Sequence, residues 1–128
     1  MFYEELYGEL GKLFYYLAAV DGKVHPSEKE SLIKLIHQNW EPIESSKDKF
    51  GSNQADIIDF SFEYEEEEGF EENEWESFES FYHANRSKFT PGLISNILKT
   101  SEAIAASYRK TNKKEQEVLD RMIKLFKS

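Results

Sequence analysis

Asp21-Gly22-Lys23-Val24-His25-Pro26-Ser27-Glu28 is the stretch whose residue types and spacing come nearest to a ligand-bearing loop. Counted as the later half of a calcium loop of about twelve residues, it puts Asp21 and Glu28 at ligand positions and Gly22 at the sharp turn. The earlier ligand positions then fall on Leu17 and Ala19, which carry no side-chain oxygen. Calcium takes about six to eight oxygens, so this loop is short of a complete set. A divalent cation at Asp21 and Glu28 therefore needs carboxylates from elsewhere, and the glutamate-rich middle of the chain offers them. The competing reading is a tight interhelical turn, with Gly22 for backbone freedom, Val24 packing inward and Glu28 capping the next helix. The turn is the favoured reading.

Carboxylates crowd the segment from Glu63 to Glu79. A solvated helix face, a docking surface for a basic partner and loose capture of divalent cations compete as explanations. Charge runs are most often solvated faces, and carboxylates without fixed geometry bind metals weakly and unselectively. His25, His37 and His83 stand alone, with no second His or Cys one helical turn away. His37 falls near the end of a helix, where it complements the dipole, and His83 lies off the main apolar stripe. There is no cysteine, which removes disulfides, thiolate metal sites and a Cys nucleophile. No Gly-x-Ser-x-Gly elbow and no glycine-rich phosphate loop occurs. Abundant glutamate does not by itself place two carboxylates in one pocket. The sequence assigns no catalytic residue and no cofactor, and Asp21 and Glu28 are its only metal candidates. An enzyme is not expected.

The formal charge of −9 is unevenly spread. From Phe50 to Asn85 there are twelve acidic residues and no Lys or Arg, while the remainder is slightly basic. Such a field repels nucleic-acid phosphates and anionic headgroups, leaving cations or a basic protein as better partners. The ten Phe, seven Tyr and two Trp read as core, because base-stacking platforms set their rings among Lys and Arg rather than Glu. No apolar run approaches the ~20 residues of a membrane span. The opening Met-Phe-Tyr-Glu-Glu-Leu is acidic where a secretory signal is basic, so a cytoplasmic location is expected.

These residues need elements to hold them. Residues 1–128 suit one domain, since two smaller pieces would each bury little core. Phe2, Leu6, Leu10, Leu13, Leu17 and Val20 recur at helical spacing, broadened by Tyr7 and Phe14, and Asp21-Gly22 ends that helix. Pro26 and Glu28 open a second helix to about Asn39, carrying Leu32, Leu35, Ile36 and Trp40 before Pro42. Residues 41–52 form a polar connection with a short helical turn near Ser45 to Lys49. Phe60, Phe62 and Tyr64 alternate with polar residues as in a strand, yet Ala55, Ile58 and Phe62 fit a helix, and a lone strand would have no partner. Helix is the reading adopted. Trp75, Phe78, Phe81, Tyr82, Asn85 and Phe89 give the next helix an aromatic face. Thr90-Pro91 opens a helix with Leu93, Ile97, Ile104 and Tyr108. Asn112 and Glu115 form a capping box before Val118, Leu119, Met122, Ile123 and Phe126.

At an offset of 87 residues the chain echoes itself: Ala18-Ala19 meets Ala105-Ala106, Glu28 meets Glu115, and Leu32, Leu35 and Ile36 meet Leu119, Met122 and Ile123. Such an echo suggests two related hairpins about a pseudo-twofold axis. The loops differ, because Asp21-Gly22 meets Tyr108-Arg109. Tyr16-Leu17-Ala18-Ala19-Val20-Asp21-Gly22-Lys23-Val24, with Pro26 and Glu28, resembles the signature of TerB-like domains. In that family an Ala-rich helix ends in Asp-Gly, a basic and a β-branched residue, and a Glu opens the next helix. The resemblance is strong over residues 13–36, weaker over 103–126 and absent between. It implies a compact all-α bundle of about five to seven helices built on two pseudo-symmetric hairpins. It also implies a bacterial stress context of the tellurite-resistance kind, and in some members metal binding through acidic residues. The same domain precedes a J domain in DjlA-type co-chaperones. Here His25-Pro26-Ser27 lacks the Asp of a J-domain motif and is read as a cap.

Overall fold

Leu13 to Ala19 holds no charged residue, so a helix through it has no side suited to water. In the computed structural model, which describes residues 2–41, 54–69, 71, 73–107 and 111–127, this segment closes α1 (Phe2–Ala19), and every residue from Leu13 to Ala19 is buried. The apolar stripe thus understates α1, which is enclosed on all sides along its second half. The other helices are α2 (Pro26–Leu35), α3 (Ile57–Glu68), α4 (Asn73–Ala84), α5 (Pro91–Ala106) and α6 (Lys113–Lys127). α3 and α4 cover most of α1, α5 and α6 touch it, and α2 packs on α5. The fold is an all-α bundle, with no strand among the described residues. None of its described helices is long and apolar enough to cross a membrane.

The alternating aromatics are helical. α3 turns Ile58 and Phe62 inward, with Ala55 of the preceding 3₁₀ turn (Gln54–Asp56), while Phe60 and Tyr64 point to solvent. α3 approaches α1 closely at two glycines. The Ser61 hydroxyl donates to the Gly8 carbonyl at 2.6 Å, and a Cβ on Gly11 would collide with the Ser61 Cβ and lie 2.6 Å from the Ile58 carbonyl oxygen.

α2 ends earlier than its apolar spacing predicts. It stops at Leu35, and a π turn, Ile36–Trp40, carries the chain on. The wider turn brings both Ile36 and Trp40 inward, and Asn96 Nδ2 donates to the Asn39 carbonyl at 3.1 Å. The Trp40 indole N–H donates to Thr100 Oγ1 at 3.0 Å, with both side chains fully buried. Trp40→Phe removes the donor and leaves the Thr100 hydroxyl unpaired, so denaturant unfolding is expected to show a loss of about 2 kcal/mol. Adding Thr100→Val should restore part of it. A change below about 0.5 kcal/mol would show that the bond contributes nothing.

The expected aromatic helix is interrupted. α4 ends at Ala84, where Asn85 Nδ2 donates back to the Phe81 carbonyl at 3.0 Å. A 3₁₀ turn, Arg86–Lys88, then returns Phe89 onto Tyr82 at 4.9 Å between ring centroids and onto Phe126 at 6.2 Å. Thr90 caps α5 as its sequence predicts, accepting from the Leu93 N–H at 3.2 Å. On α6, Val118, Leu119, Met122 and Leu125 are buried, whereas Ile123 is 37% exposed. The buried row runs at steps of four and three from Val118 and bypasses Ile123. Pro42, the turn expected near Ser45 to Lys49, Tyr108 and Arg109 lie outside the described residues.

Candidate functional site: a carboxylate cluster between the α1–α2 loop and α6

The Asp21 loop is built as a turn. Gly22 has φ +106° and donates to the Ala19 carbonyl at 2.9 Å, a conformation that costs glycine little and other residues much. Pro26 occupies the first turn of α2, and the His25 N–H donates to Glu28 Oε1 at 2.8 Å. The first turn of α6 repeats the device. The Asn112 N–H donates to Glu115 Oε1 at 3.1 Å, and the Glu115 N–H donates to Asn112 Oδ1 at 2.8 Å. Ahead of α4 the Glu71 N–H donates to Glu74 Oε1 at 3.0 Å. Three glutamates thus satisfy orphan N–H groups at helix starts, and all three are buried.

Two of those caps meet. The Asn112 amide donates from Nδ2 to Asp21 Oδ2 at 2.9 Å, so one side chain closes the α6 box and ties it to the α1–α2 loop. Glu28 and Glu115 lie within hydrogen-bonding reach of one another, with Asp21 beside both. Glu28 is 1% exposed and Glu115 3%. Burial pushes the Glu28 carboxyl up to about 8, the Glu115 charge, the hydrogen bond to Glu115 and Asp21 push the same way, and the His25 N–H opposes. Glu115 is also raised, chiefly by burial, with the Asn112 N–H and the bond from Glu28 holding it back. Two buried carboxyls this close cannot both ionise cheaply, and that mutual cost, added to burial, is what holds both above the usual carboxylate range. Glu28 Oε2 is buried and meets no hydrogen-bond donor.

The sequence-predicted site residues therefore come together, but their third carboxylate is Glu115 of α6 rather than one from the acidic middle. The middle glutamates are used elsewhere. Glu63 and Glu66 accept from Lys29 Nζ at 2.9 and 3.5 Å, tying α3 to α2, while Glu67, Glu68, Glu71 and Glu76 are exposed. Among the described residues no group of three or more His, Cys, Asp or Glu is arranged to hold a metal ion. His37 does not act on the helix dipole alone, since its Nδ1 pairs with Glu41 at 2.9 Å. Asp56 beside it is raised to about 6, by burial and then by its hydrogen bond to Glu41. His83 lines an open cleft of about 500 Å³ between α4 and α6, where the Arg121 guanidinium lies 4.5 Å from the Trp75 ring centroid and donates to the Tyr16 hydroxyl at 3.0 Å.

Glu115 was legible as a cap from its spacing to Asn112, and the echo aligned it with Glu28. What the echo does not contain is the distance between the two copies. The Glu41–Asp56 contact left no sequence signal, because it joins the ends of two turns. No protein-family model matches this chain, and no curated protein and no solved structure is significantly similar to it.

Proposed function

We propose that the chain is a non-enzymatic, TerB-like interaction or sensing module acting in a bacterial stress response of the tellurite-resistance kind. The observation that carries the reading is what the signature residues do. Asp21 and Glu28, with Asn112 and Glu115, join the α1–α2 loop to the start of α6 through helix caps and the Asn112–Asp21 hydrogen bond rather than lining a cleft. The side left to meet other molecules is the acidic exposed face of α3 and α4. A host lacking the chain is expected to lose survival under tellurite, with rescue by the intact gene. Undiminished survival would overturn the stress assignment.

A second reading, a divalent cation at Asp21 and Glu28, has one detail in its favour: Glu28 Oε2 is buried and meets no hydrogen-bond donor. Calorimetry with calcium, manganese and zinc separates the two. On the module reading none produces heat or a thermal shift, and Asp21→Ala lowers stability by about 1 kcal/mol through loss of the Asn112 tie with the ion response unchanged. Cation binding would instead release the Glu28 proton, giving a heat that varies with the buffer's ionisation enthalpy and vanishes in Asp21→Ala.

A further inference from the structure

Among the described residues Phe60 and Tyr64 are the most exposed large apolar side chains, at 66% and 62%. They lie one helical turn apart on α3, on the side opposite Ile58 and Phe62, and so form a short aromatic ridge facing away from the core. By helical phase Glu63 and Glu67 flank the ridge on one side and Glu68 on the other, all three exposed. Glu63 is engaged by Lys29, whereas Glu67 and Glu68 meet no cation among the described residues.

We propose that this ridge is a docking surface for a basic amphipathic helix of a partner protein. Aliphatic side chains of that helix would pack over Phe60 and Tyr64, and its Arg or Lys residues would pair with Glu67 and Glu68. The chemistry selects that occupant in two ways. Exposed rings give a place for apolar contact and for a guanidinium to lie against a π face, and arginine suits both rings and carboxylates. The carboxylate rim repels an acidic surface, so a second copy set face to face by the same ridge brings like charges together. The proposal rests on reading the chain as an interaction module.

The test is fluorescence anisotropy with a labelled helical peptide carrying a leucine face and an arginine face. Two control peptides have glutamate for every arginine or serine for every leucine. The intact protein is expected to bind the first peptide at least about tenfold more tightly than either control. Phe60→Gln with Tyr64→Gln, which keeps good helix formers, should weaken it about tenfold. Glu67→Gln with Glu68→Gln should weaken it several-fold and flatten its salt dependence. Glu30→Gln with Glu76→Gln, exposed carboxylates elsewhere, should leave it within about twofold. Equal binding by the ridge variant, or an equal loss in the Glu30 and Glu76 variant, would overturn the proposal. So would sedimentation showing a dimer that the ridge variant dissolves, since the occupant would then be a second copy. If the ridge variant fails to fold by circular dichroism, the rim variant and the peptide series decide. In the host, a ridge variant that rescues tellurite survival fully sinks the ridge and spares the module, whereas ridge-dependent peptide binding without any survival phenotype does the reverse.

Discussion

Gly11→Ala is expected to destabilise the protein by about 3 kcal/mol or more, although alanine is the better helix former by about 1 kcal/mol. The added methyl would collide with the Ser61 Cβ and lie 2.6 Å from the Ile58 carbonyl oxygen, and backbone cannot rotate aside as a flexible side chain does. α1 and α3 must then separate, opening the contact between the central helix and its most extensive neighbour. Gly8 supplies the internal control. A Cβ there meets nothing within 4 Å, so Gly8→Ala should stabilise by about 0.5–1 kcal/mol. Chemical denaturation of the two variants checks both signs. A Gly11→Ala protein as stable as its parent would mean that the helices are not this close.

Stability should fall as pH rises from about 5 to 9. Glu28 has its carboxyl raised from 4.5 to about 8 in the folded chain, so over that interval the folded state holds a proton that the unfolded state has released. The stabilisation from that proton is complete below 4.5 and is lost as pH rises through about 8, an effect of up to about 5 kcal/mol. Glu115, Asp56, Asp59 and Glu65 are raised as well, mainly by burial, and act in the same direction. Glu28→Gln separates the pair from this background. Glutamine keeps an oxygen for the His25 N–H and offers an amide proton to Glu115, standing in for the protonated acid without titrating. The variant is expected to match its parent near pH 5 and to melt about 10 °C above it at pH 9. A parent whose Tm is level across this range, or a variant that melts lower at pH 9, would show that Glu28 carries no proton.

Much of the fold was legible in local chemistry. Gly22 after Asp21, Pro26 before Glu28, Thr90-Pro91 and Asn112 with Glu115 each act on backbone within four residues, and each stands where its type predicts. The errors arise where the deciding neighbour is distant. Periodicity gave the second half of α1 a wet side that it lacks, because Tyr15 and Tyr16 score as amphipathic while packing edge-on to Phe62 at 5.6 Å and tilted against Trp75 at 6.2 Å. It placed Ile123 inside because Ile is apolar, and the pitch of α6 against the bundle chose Leu125.

The order of residues alone marked out most of the helical segments and where most of them start, since caps, prolines and apolar spacing act within a few residues of one another. It also brought Asp21 and Glu28 forward as the chain's distinctive carboxylates. Only the packing of α6 beside the α1–α2 loop made them a cluster, because the charge state of Glu28 depends on Glu115, eighty-seven positions away, and on the exclusion of water from both. Packing likewise left Phe60 and Tyr64 outside, for one side of a helix can face a core and the opposite side cannot.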